Sequence, residues 1–393
     1  MSEQYNPIPL HRAQYGFVQC PKPYVGFVGG RGSGKSFAGA VRMMVQSDAS
    51  PGLYAIYAPT YPLLRDSTLR SFIGVARPYI TEHNKSEGLI TLANGVEVIT
   101  RSLDDPEHGR GPNLSGAWLD EASLVGRDAF DIVIGSLREG GRQGWLAATF
   151  TPKGRTHWTY DVFGKGDTDS AQLFHATTGD NPFLPATFAG TLRNQYTSAY
   201  AAQEIEGQFV DLAGEVAKRE WFRIVDAAPQ QARKVRAWDF ASSTKTTADY
   251  TVGTLMCEAG GVYTVAHVIR ARVSPADAMA LIRQTAQTDG MAVQIALEQE
   301  PGSSGEFAVS SMIRALAGFN AQAHRPSTDK LTRAMPLLAQ AQAGNVCLVR
   351  APWNQSWLDE FAVFPRGEHD DQVDSASNAF HRLASPSPIM VFA

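Results

Sequence analysis

Eight residues near the N-terminus have the types and the spacing of a phosphate-binding loop. Gly29-Gly30-Arg31-Gly32-Ser33-Gly34-Lys35-Ser36 fits the pattern G-x-x-x-x-G-K-[ST], and it lies between an apolar run, YVGFV, and a helical stretch, SFAGAVRMMVQ. The glycines let backbone N–H groups turn towards phosphate oxygens, and the start of the helix adds positive potential. We expect Lys35 to reach the β- and γ-phosphates of a nucleotide and Ser36 to ligate Mg²⁺. A chance glycine-rich turn would not need a strand before it and a helix after it.

An acidic pair further along the chain would complete this nucleotide site. Ala117-Trp118-Leu119-Asp120-Glu121 reads as a buried strand that ends in two carboxylates, the arrangement of a Walker B segment. We expect Asp120 to hold Mg²⁺ through water and Glu121 to polarise the attacking water. A bare Asp-Glu pair is also common at helix starts, and its position downstream of the loop favours the catalytic interpretation.

Five further residues are candidates for a role in nucleotide chemistry. Thr149 ends the next predicted strand, where its hydroxyl could sense the γ-phosphate or only form a strand-end turn. The amide of Gln14 could read adenine, unless Gln14 is an ordinary surface residue. Transition-state charge could be stabilised in cis by Arg31, or in trans by Arg101 or Arg110 of a neighbouring subunit. The sequence leaves these alternatives open.

A second set of acidic residues recurs in the C-terminal half. Asp239 and Glu298 each end a predicted strand, and the run His369-Asp370-Asp371-Gln372-Val373-Asp374 opens the last predicted helix. Asp371 and Asp374 lie three residues apart, so they share one helix face. Carboxylates from two strands and a final helix can converge at one end of a mixed sheet and hold one or two metal ions, which clamp a phosphodiester. Oxygen ligands favour Mg²⁺ or Mn²⁺ over zinc.

The ordinary alternative is that the aspartates cap the last helix and that Glu298 belongs to a salt-bridged strand edge. Taken together, on a strand-hairpin-helix-strand-helix order of the RNase H type, the residues favour a metal site. Which of Asp370, Asp371 and Asp374 ligates directly is open. Asp249 is an outer candidate, and Glu258 and Glu300 have the pattern of surface charges.

The elements that must position these residues form two patterns. Over residues 24–205, short apolar runs alternate with helical stretches, which predicts a parallel sheet wrapped by helices. Residues 206–232 have no sustained period and are interpreted as a connector. The predicted organisation is an ATPase domain at 1–205, the connector, and a nuclease domain at 233–393. The predicted strands of the first domain are Tyr24–Val28, Tyr54–Ala58, Glu97–Ser102, Gly116–Asp120 and Trp145–Thr149.

Composition excludes several classes of protein. The chain is 44% apolar and 19% charged, without an apolar run long enough to cross a membrane. Three scattered cysteines fit free thiols in a reducing cytoplasm better than a zinc site or a disulfide framework. The net charge of −4 by itself disfavours nucleic acid, but carboxylate metal sites carry an acidic load of their own.

The chain resembles the large terminase subunit of tailed bacteriophages and prophages. The resemblance covers nearly the whole chain, in the family's order, and it rests on the stretches GGRGSGKS, APTYPLLRDS, RGPNLSGAWLDEAS, TFTPKG, RAWDFASSTKTTADYT, LEQEPGSSG, RPSTDK and HDDQVDSASNAF. It implies an α/β chain with an N-terminal P-loop ATPase domain of the ASCE, RecA-like type and a C-terminal RNase H-like nuclease domain.

The resemblance also implies roles, cofactors and partners. It implies a ring of subunits on the portal protein that uses ATP to move double-stranded DNA into a procapsid in the host cytoplasm, and that is absent from the mature virion. It implies a small terminase subunit as partner and metal-dependent cutting of concatemeric DNA. The ATPase roles are carried over to Lys35, Ser36, Asp120 and Glu121. The nuclease metals are carried over to Asp239, Glu298, Asp371 and Asp374.

Two other functions compete with this one. A helicase-like DNA-repair ATPase with a DNA-binding C-terminal half would need a second RecA-like lobe, and no second set of nucleotide motifs follows residue 206. A non-enzymatic assembly protein would have degenerate sites, whereas Lys35, Asp120 and Glu121 are intact.

Overall fold

The computed structural model describes residues 8–212, 216–239, 250–299, 303–325 and 328–384, without the side chains of 303 and 304. It divides into two compact units. The first comprises the chain up to Arg193 together with Tyr200–Asp211, and the second comprises Asn194–Ala199 and the chain from Leu212 onwards. Among the described residues, no helix is both long enough and apolar enough to cross a membrane.

The first unit is built on an eight-stranded sheet. Its strands are β1 Tyr24–Gly29, β2 Leu53–Ala58, β3 Ile80–Asn84, β4 Leu89–Leu92, β5 Glu97–Ser102, β6 Gly116–Asp120, β7 Trp145–Phe150 and β8 Ala171–Ala176. They lie in the order β3-β4-β5-β2-β6-β7-β1-β8. The sheet is parallel from β5 to β8, and β3 and β4 add an antiparallel hairpin at one edge.

Helices cover this sheet, and the strand order sets the edge where the predicted site residues lie. They are α1 Arg12–Gln19, α2 Lys35–Ala49, α3 Tyr61–Leu63, α4 Leu69–Ala76, α5 Arg127–Ser136, α6 Phe188–Arg193 and α7 Ser198–Glu204, with a π-helical turn at Leu64–Thr68. The five predicted strands are confirmed to within one residue. Strand β7 lies between β1 and β6 and is parallel to both. The C-terminal ends of the phosphate-loop strand and of the Asp-Glu strand therefore lie at the same edge of the sheet.

Close packing between α2 and β6 explains a glycine in the middle of a helix. Trp118 is fully buried, and a Cβ atom at Gly39 would lie 2.2 Å from its ring. Glycine costs a helix interior roughly 0.5–1 kcal/mol relative to alanine, but here only glycine lets the indole fit.

The second unit contains a seven-stranded mixed sheet. Its strands are β9 Arg223–Val225, β10 Arg233–Asp239, β11 Thr251–Ala259, β12 Val262–Ala271, β13 Gln294–Glu298, β14 Ala321–His324 and β15 Val346–Val349. They lie in the order β14-β13-β10-β11-β12-β15-β9. The central meander β10–β11–β12 is antiparallel, and β13 and β14 extend it in parallel with β10, as an RNase H-like sheet requires.

The α-helices found in the described part of this unit are α8 Pro275–Asp289, α9 Ser303–Ala315, α10 Lys330–Gln342, α11 Asn354–Val363 and α12 Asp371–Ala384. The sequence predicts a hairpin turn at Gly260–Gly261 and a helix opened by Ser274, and both are confirmed. Two expectations need correction. The sequence predicts a helix after Gly305, but α9 already includes Ser303, and the stretch interpreted as a connector contributes β9, which pairs with β15 in the sheet.

Candidate active sites

The phosphate-binding loop connects β1 directly to α2. Gly32 and Gly34 have φ angles of 75° and 85°, a left-handed conformation that favours glycine. A Cβ atom at Gly30 would lie 2.1 Å from the carbonyl oxygen of Ile205, so the neighbouring backbone also demands glycine there. The first N–H groups of α2 have no partner within the helix and form a site for an anion.

Every carbonyl of the loop from Gly30 to Gly34 accepts a hydrogen bond from a side chain. These bonds fix the orientation of the loop carbonyls, and the N–H groups of Gly30, Arg31 and Ser33 donate to backbone carbonyls as well. The donors and distances are Lys35 Nζ to Gly30 at 3.1 Å, Thr178 Oγ1 to Arg31 at 2.8 Å, Asn181 Nδ2 to Gly32 at 2.7 Å, His11 Nε2 to Ser33 at 3.2 Å and Gln14 Nε2 to Gly34 at 3.1 Å.

Sequence reasoning missed His11, Thr178 and Asn181 because none of them belongs to a nucleotide motif. Gln14 is 5% exposed, so the surface-residue alternative is wrong. Its amide oxygen accepts from the backbone N–H of His11 while its nitrogen holds the loop. Whether Gln14 also reads adenine stays a prediction.

A buried arginine fixes the helix that carries His11 and Gln14. Arg42 of α2 is 1% exposed and donates to three carbonyls at the end of α1, those of Phe17, Val18 and Cys20, at 2.5–3.2 Å. Burial lowers the pKa of Arg42 to about 10. The guanidinium therefore caps α1 against α2 and sets the register between α1 and the loop.

Asp120 is completely buried at the end of β6 and is surrounded by hydroxyl groups. Its carboxylate accepts from Ser36 at 3.1 Å, from Thr68 at 2.8 Å and from Thr149 at 2.6 Å. Burial raises the pKa of Asp120, whereas these hydroxyls and then Lys35 lower it. Thr68, which belongs to the π-helical turn, was missed, although π-helical turns are frequent at functional sites.

The Thr149 hydroxyl lies between Asp120 and the packed core. It donates to Asp120 and accepts from the Trp118 indole N–H at 2.8 Å. The tight contact between Trp118 and Gly39 thus extends through Thr149 to the carboxylate. The predicted role of Thr149 as a γ-phosphate sensor stays a prediction.

Glu121 has an unusual backbone conformation. Its φ of 48° makes it the only non-glycine residue in the described ranges with a positive φ, and strain of this kind clusters at functional positions. Burial raises the pKa of Glu121, and the nearby carboxylates of Asp120 and Glu204 raise it further against the opposing charge of Lys35. A carboxylate in this environment is suited to accept a proton.

The three candidate arginines are all exposed. Arg31 lies in the loop itself, Arg101 donates to the carbonyl of His108 at 3.0 Å, and Arg110 pairs with Glu107 at 2.7 Å. These contacts do not distinguish an arginine that acts in cis from one that acts in trans, so the three alternatives stay open.

In the second unit the predicted carboxylates come together. Asp239 and Glu298 end the adjacent parallel strands β10 and β13, and Asp371 and Asp374 occupy the first turn of α12. Helix α12 packs on both strands. Burial raises the pKa of Asp239 well above its ordinary value, and the charges of Asp374, Glu298 and Asp371 raise it further. The carboxylates of Asp374, Glu298 and Asp371 are therefore near enough to Asp239 to disfavour its charged form.

Two basic residues of α10 lie among these carboxylates. Arg333 donates to Glu298 at 3.1 Å and to Asp374 at 2.6 Å, and Lys330 lies 2.6 Å from Asp370 and 3.0 Å from Asp374. Sequence reasoning assigned neither residue a role. The sequence does contain a pattern that could have revealed them: Lys330 ends the RPSTDK stretch, and Arg333 follows it by three residues and so lies on the same helix face.

The three aspartates of the final run differ in their surroundings. Asp374 has a side chain only 5% exposed and is paired with both cations. The Asp371 carboxylate lies 3.8 Å from His369, whose ring packs edge-on against Tyr250. Asp370 precedes the helix and is one-third exposed. Burial thus favours Asp374 as a direct ligand.

The donor set fits a hard divalent cation, since it consists of convergent carboxylates without cysteine. Yet within the ranges described above, no three His, Cys, Asp or Glu side chains are arranged closely enough to hold a metal ion. The oxygens face Arg333 and Lys330 instead. Asp249 and Glu300 lie outside the described residues, and Glu258 is a half-buried partner of Arg233 rather than a free surface charge.

Comparison with known proteins decides the family. The model described as "Terminase large subunit, T4likevirus-type, N-terminal" matches residues 27–224, just over half of the chain, and the model described as "Terminase RNaseH-like domain" matches residues 236–383. The chain belongs to the terminase large subunit family. The predicted family and fold class are confirmed, and ATPase and nuclease domains are those expected of a large terminase.

Relatives of known identity agree with this assignment. The PBSX phage terminase large subunit of Bacillus subtilis (strain 168) is 25% identical over 197 residues, a match that spans 43% of this chain and 45% of that protein, less than half of its length. The large terminase of a thermophilic bacteriophage has the same fold, with a TM-score of 0.67 at 13% identity over 94% of this chain and 98% of that one. The complex of that phage terminase with ADP gives 0.64 at 15% identity over the same shares.

Proposed function

We propose that this chain is the ATP-driven motor and the metal-dependent endonuclease of a DNA-packaging machine. In this proposal, ATP hydrolysis moves double-stranded viral DNA into a procapsid, and the second unit cuts concatemeric DNA. The observation that supports it best is that the P-loop with Asp120 and Glu121 lies in one unit of a large terminase chain and the carboxylate cluster lies in the other.

At the nucleotide site, the chain's own groups suit the cleavage of a γ-phosphate. The loop N–H groups and Lys35 would hold the phosphates, Ser36 and Asp120 would hold a Mg²⁺ ion that neutralises their charge, and Glu121 would accept a proton from the attacking water. The terminase of the thermophilic phage was solved with ADP, which supports ATP as the nucleotide.

At the second site, Asp239, Glu298, Asp371 and Asp374 would hold one or two Mg²⁺ or Mn²⁺ ions. Such ions activate water and stabilise the charge that develops on a phosphodiester. The protein supplies convergent oxygens at the ends of two strands and one helix, a rigid frame that keeps the ligands in place.

The proposal includes partners that the family implies. We propose that the chain forms a homo-oligomeric ring on the portal protein, recruits DNA through a small terminase subunit, and acts in the host cytoplasm during packaging. The helicase alternative is less well supported, because the second unit has an RNase H-like sheet where a second RecA-like lobe would be needed.

A nuclease assay tests the proposal. The purified chain is incubated with supercoiled plasmid and Mg²⁺ or Mn²⁺, with and without ATP, beside the variants Asp239→Asn and Asp226→Asn. Asp226 is an 88% exposed aspartate of the same unit and serves as the matched control. We expect wild type and Asp226→Asn to cut, Asp239→Asn not to cut, and all three to hydrolyse ATP equally. Cutting that survives in Asp239→Asn, or strand separation without cutting in the wild type, would contradict the proposal.

A further inference from the structure

The guanidinium of Arg333 bridges two carboxylates that come from different elements. It contacts Glu298 of β13 and Asp374 of α12, and the three side chains are 13%, 15% and 5% exposed respectively. Ion pairs with so little exposure are poorly screened by solvent and salt. Arg333 therefore joins the strand edge to the last helix.

Lys330 extends this arrangement along the same face of α10. It pairs with Asp370 and Asp374, so Asp374 is bound by Arg333 on one oxygen and by Lys330 on the other. The backbone carbonyl of Arg333 accepts from His381 of α12 at 2.9 Å, which holds the two helices together at this level. Both cations are thus positioned by the fold.

The balance of charge explains why the cations are there. Asp239, Glu298, Asp371 and Asp374 cluster at one sheet edge, and ionised carboxylates cannot share a buried site without positive charge beside them. Arg333 and Lys330 supply that charge in this structure. Divalent ions would supply it too, but they would use the same oxygens of Glu298 and Asp374.

We propose that Arg333 and Lys330 are resident counter-ions of the carboxylate cluster, and that Mg²⁺ or Mn²⁺ binds by exchange with them. This inference rests on the proposed metal site and goes beyond it. The exchange keeps the cluster folded without metal, and it makes the affinity for metal lower than the four carboxylates alone would give.

Titration with Mn²⁺ alone, without DNA or nucleotide, tests the exchange. The full chain and the variants Arg333→Gln and Lys330→Gln are titrated, and free Mn²⁺ is measured by electron paramagnetic resonance. Arg283→Gln, an exposed position on α8, is the matched control. Asp239→Asn reports on the metal site itself.

We expect Arg333→Gln to bind Mn²⁺ on the order of tenfold more tightly than wild type, since a charge-assisted contact no longer competes. Lys330→Gln should shift in the same direction by a smaller factor, because its side chain is 53% exposed. Without metal, Arg333→Gln should unfold at a lower temperature than wild type, and added Mn²⁺ should raise its melting temperature by more. Arg283→Gln should match wild type in both assays.

Two results would overturn the exchange. Equal or weaker Mn²⁺ binding by both folded α10 variants would show that these cations do not compete with metal. If Asp239→Asn lost Mn²⁺ binding in the same experiment, the proposed metal site would still stand and only the exchange would be wrong. Failure of wild type and of both α10 variants to bind Mn²⁺ at all would remove the proposed nuclease site and the exchange with it.

Discussion

Two buried aspartates, one in each unit, show different ways to hold a carboxylate before a metal arrives. Asp120 is surrounded by the hydroxyls of Ser36, Thr68 and Thr149, all of which are neutral. Asp374 is held by the positive charges of Arg333 and Lys330. Both positions are expected to serve divalent ions, yet their partners could hardly differ more.

The difference indicates how each site responds to its ligand. Hydroxyls can rotate and can themselves ligate Mg²⁺, so the nucleotide site needs little rearrangement when a nucleotide and its metal bind. In the carboxylate cluster, by contrast, a divalent ion must displace the positively charged side chains of Arg333 and Lys330. We therefore expect the nucleotide site to be preorganised. In the carboxylate site, we expect Arg333 and Lys330 to neutralise the negative charge until metal displaces them.

The strongest effect should separate the two sites completely. Lys35→Ala removes the cation that the loop presents to the β- and γ-phosphates, and we expect ATP turnover to fall by about 10²- to 10³-fold, as when a charge-stabilising donor is removed. Plasmid cutting with Mn²⁺ should be unchanged, because Lys35 belongs to the first unit and the carboxylate cluster to the second. Steady-state ATPase and plasmid assays on the same preparation measure both. Joint loss of both activities in a folded variant would contradict the separation.

A second variant tests whether the core supports the hydroxyl-held aspartate. Gly39→Ala would place a Cβ atom 2.2 Å from Trp118, and overpacking of this kind costs about 1–3 kcal/mol. We expect lower stability of the first unit and a weaker ATPase. The matched control is Gly74→Ala in α4, where the new Cβ would extend into open space. That change should be neutral or stabilise by about 0.5–1 kcal/mol. Equal effects of the two changes in urea denaturation would refute this role of the packing.

A smaller effect is expected from the shared hydroxyl itself. Thr149→Val keeps the shape but removes the bridge between Trp118 and Asp120, and we expect roughly tenfold slower ATP hydrolysis, equivalent to the loss of one hydrogen bond to a charged group. Thr149→Ser keeps the hydroxyl and should retain most of the activity. The dependence of the rate on Mg²⁺ concentration is the measurement. Equal rates for valine and serine would show that the hydroxyl is dispensable.

The weakest effect is expected for the ion pair of Glu258 and Arg233. This pair serves as a comparison for the carboxylates that Arg333 and Lys330 hold. The pKa of Glu258 is lowered first by the Gly261 N–H and then by Arg233, so its stabilisation is present above the unfolded-state pKa of about 4.3 and is lost as pH falls through the folded value. Glu258→Gln should cost about 0.2–1 kcal/mol at pH 7. This cost should shrink towards pH 4, as followed by urea denaturation. Glu306→Gln, at a position whose side chain is 67% exposed, is the control variant. A cost that stays constant with pH would contradict the assignment.

The sequence predicted well whatever a contiguous pattern encodes. The loop from Gly29 to Ser36, the buried strand ending at Asp120 and the helix opened by Ser274 each carry their own local signal, and the structure has all three. The ends of β10 and β13 could be aligned because parallel neighbours in a sheet share an edge.

What the sequence did not reveal depends on contacts between distant residues of ordinary type. Thr178 and Asn181 hold loop carbonyls from beyond β8, and nothing near them in sequence marks that role. In the sequence, Arg333 cannot be distinguished from other helical arginines, and only the structure shows its contacts with β13 and α12. Strand β9 was missed because three residues are too few to show a period.

A single crystal can test both sites together: the full chain grown with Mn²⁺ and a non-hydrolysable ATP analogue, with diffraction recorded at the manganese absorption edge. We expect anomalous peaks at Ser36 and Asp120 and among Asp239, Glu298 and Asp374, with the Arg333 guanidinium moved off Glu298. A map without a peak at the carboxylate cluster, and with Arg333 still bridging Glu298 and Asp374, would contradict the metal site and the exchange of its counter-ions.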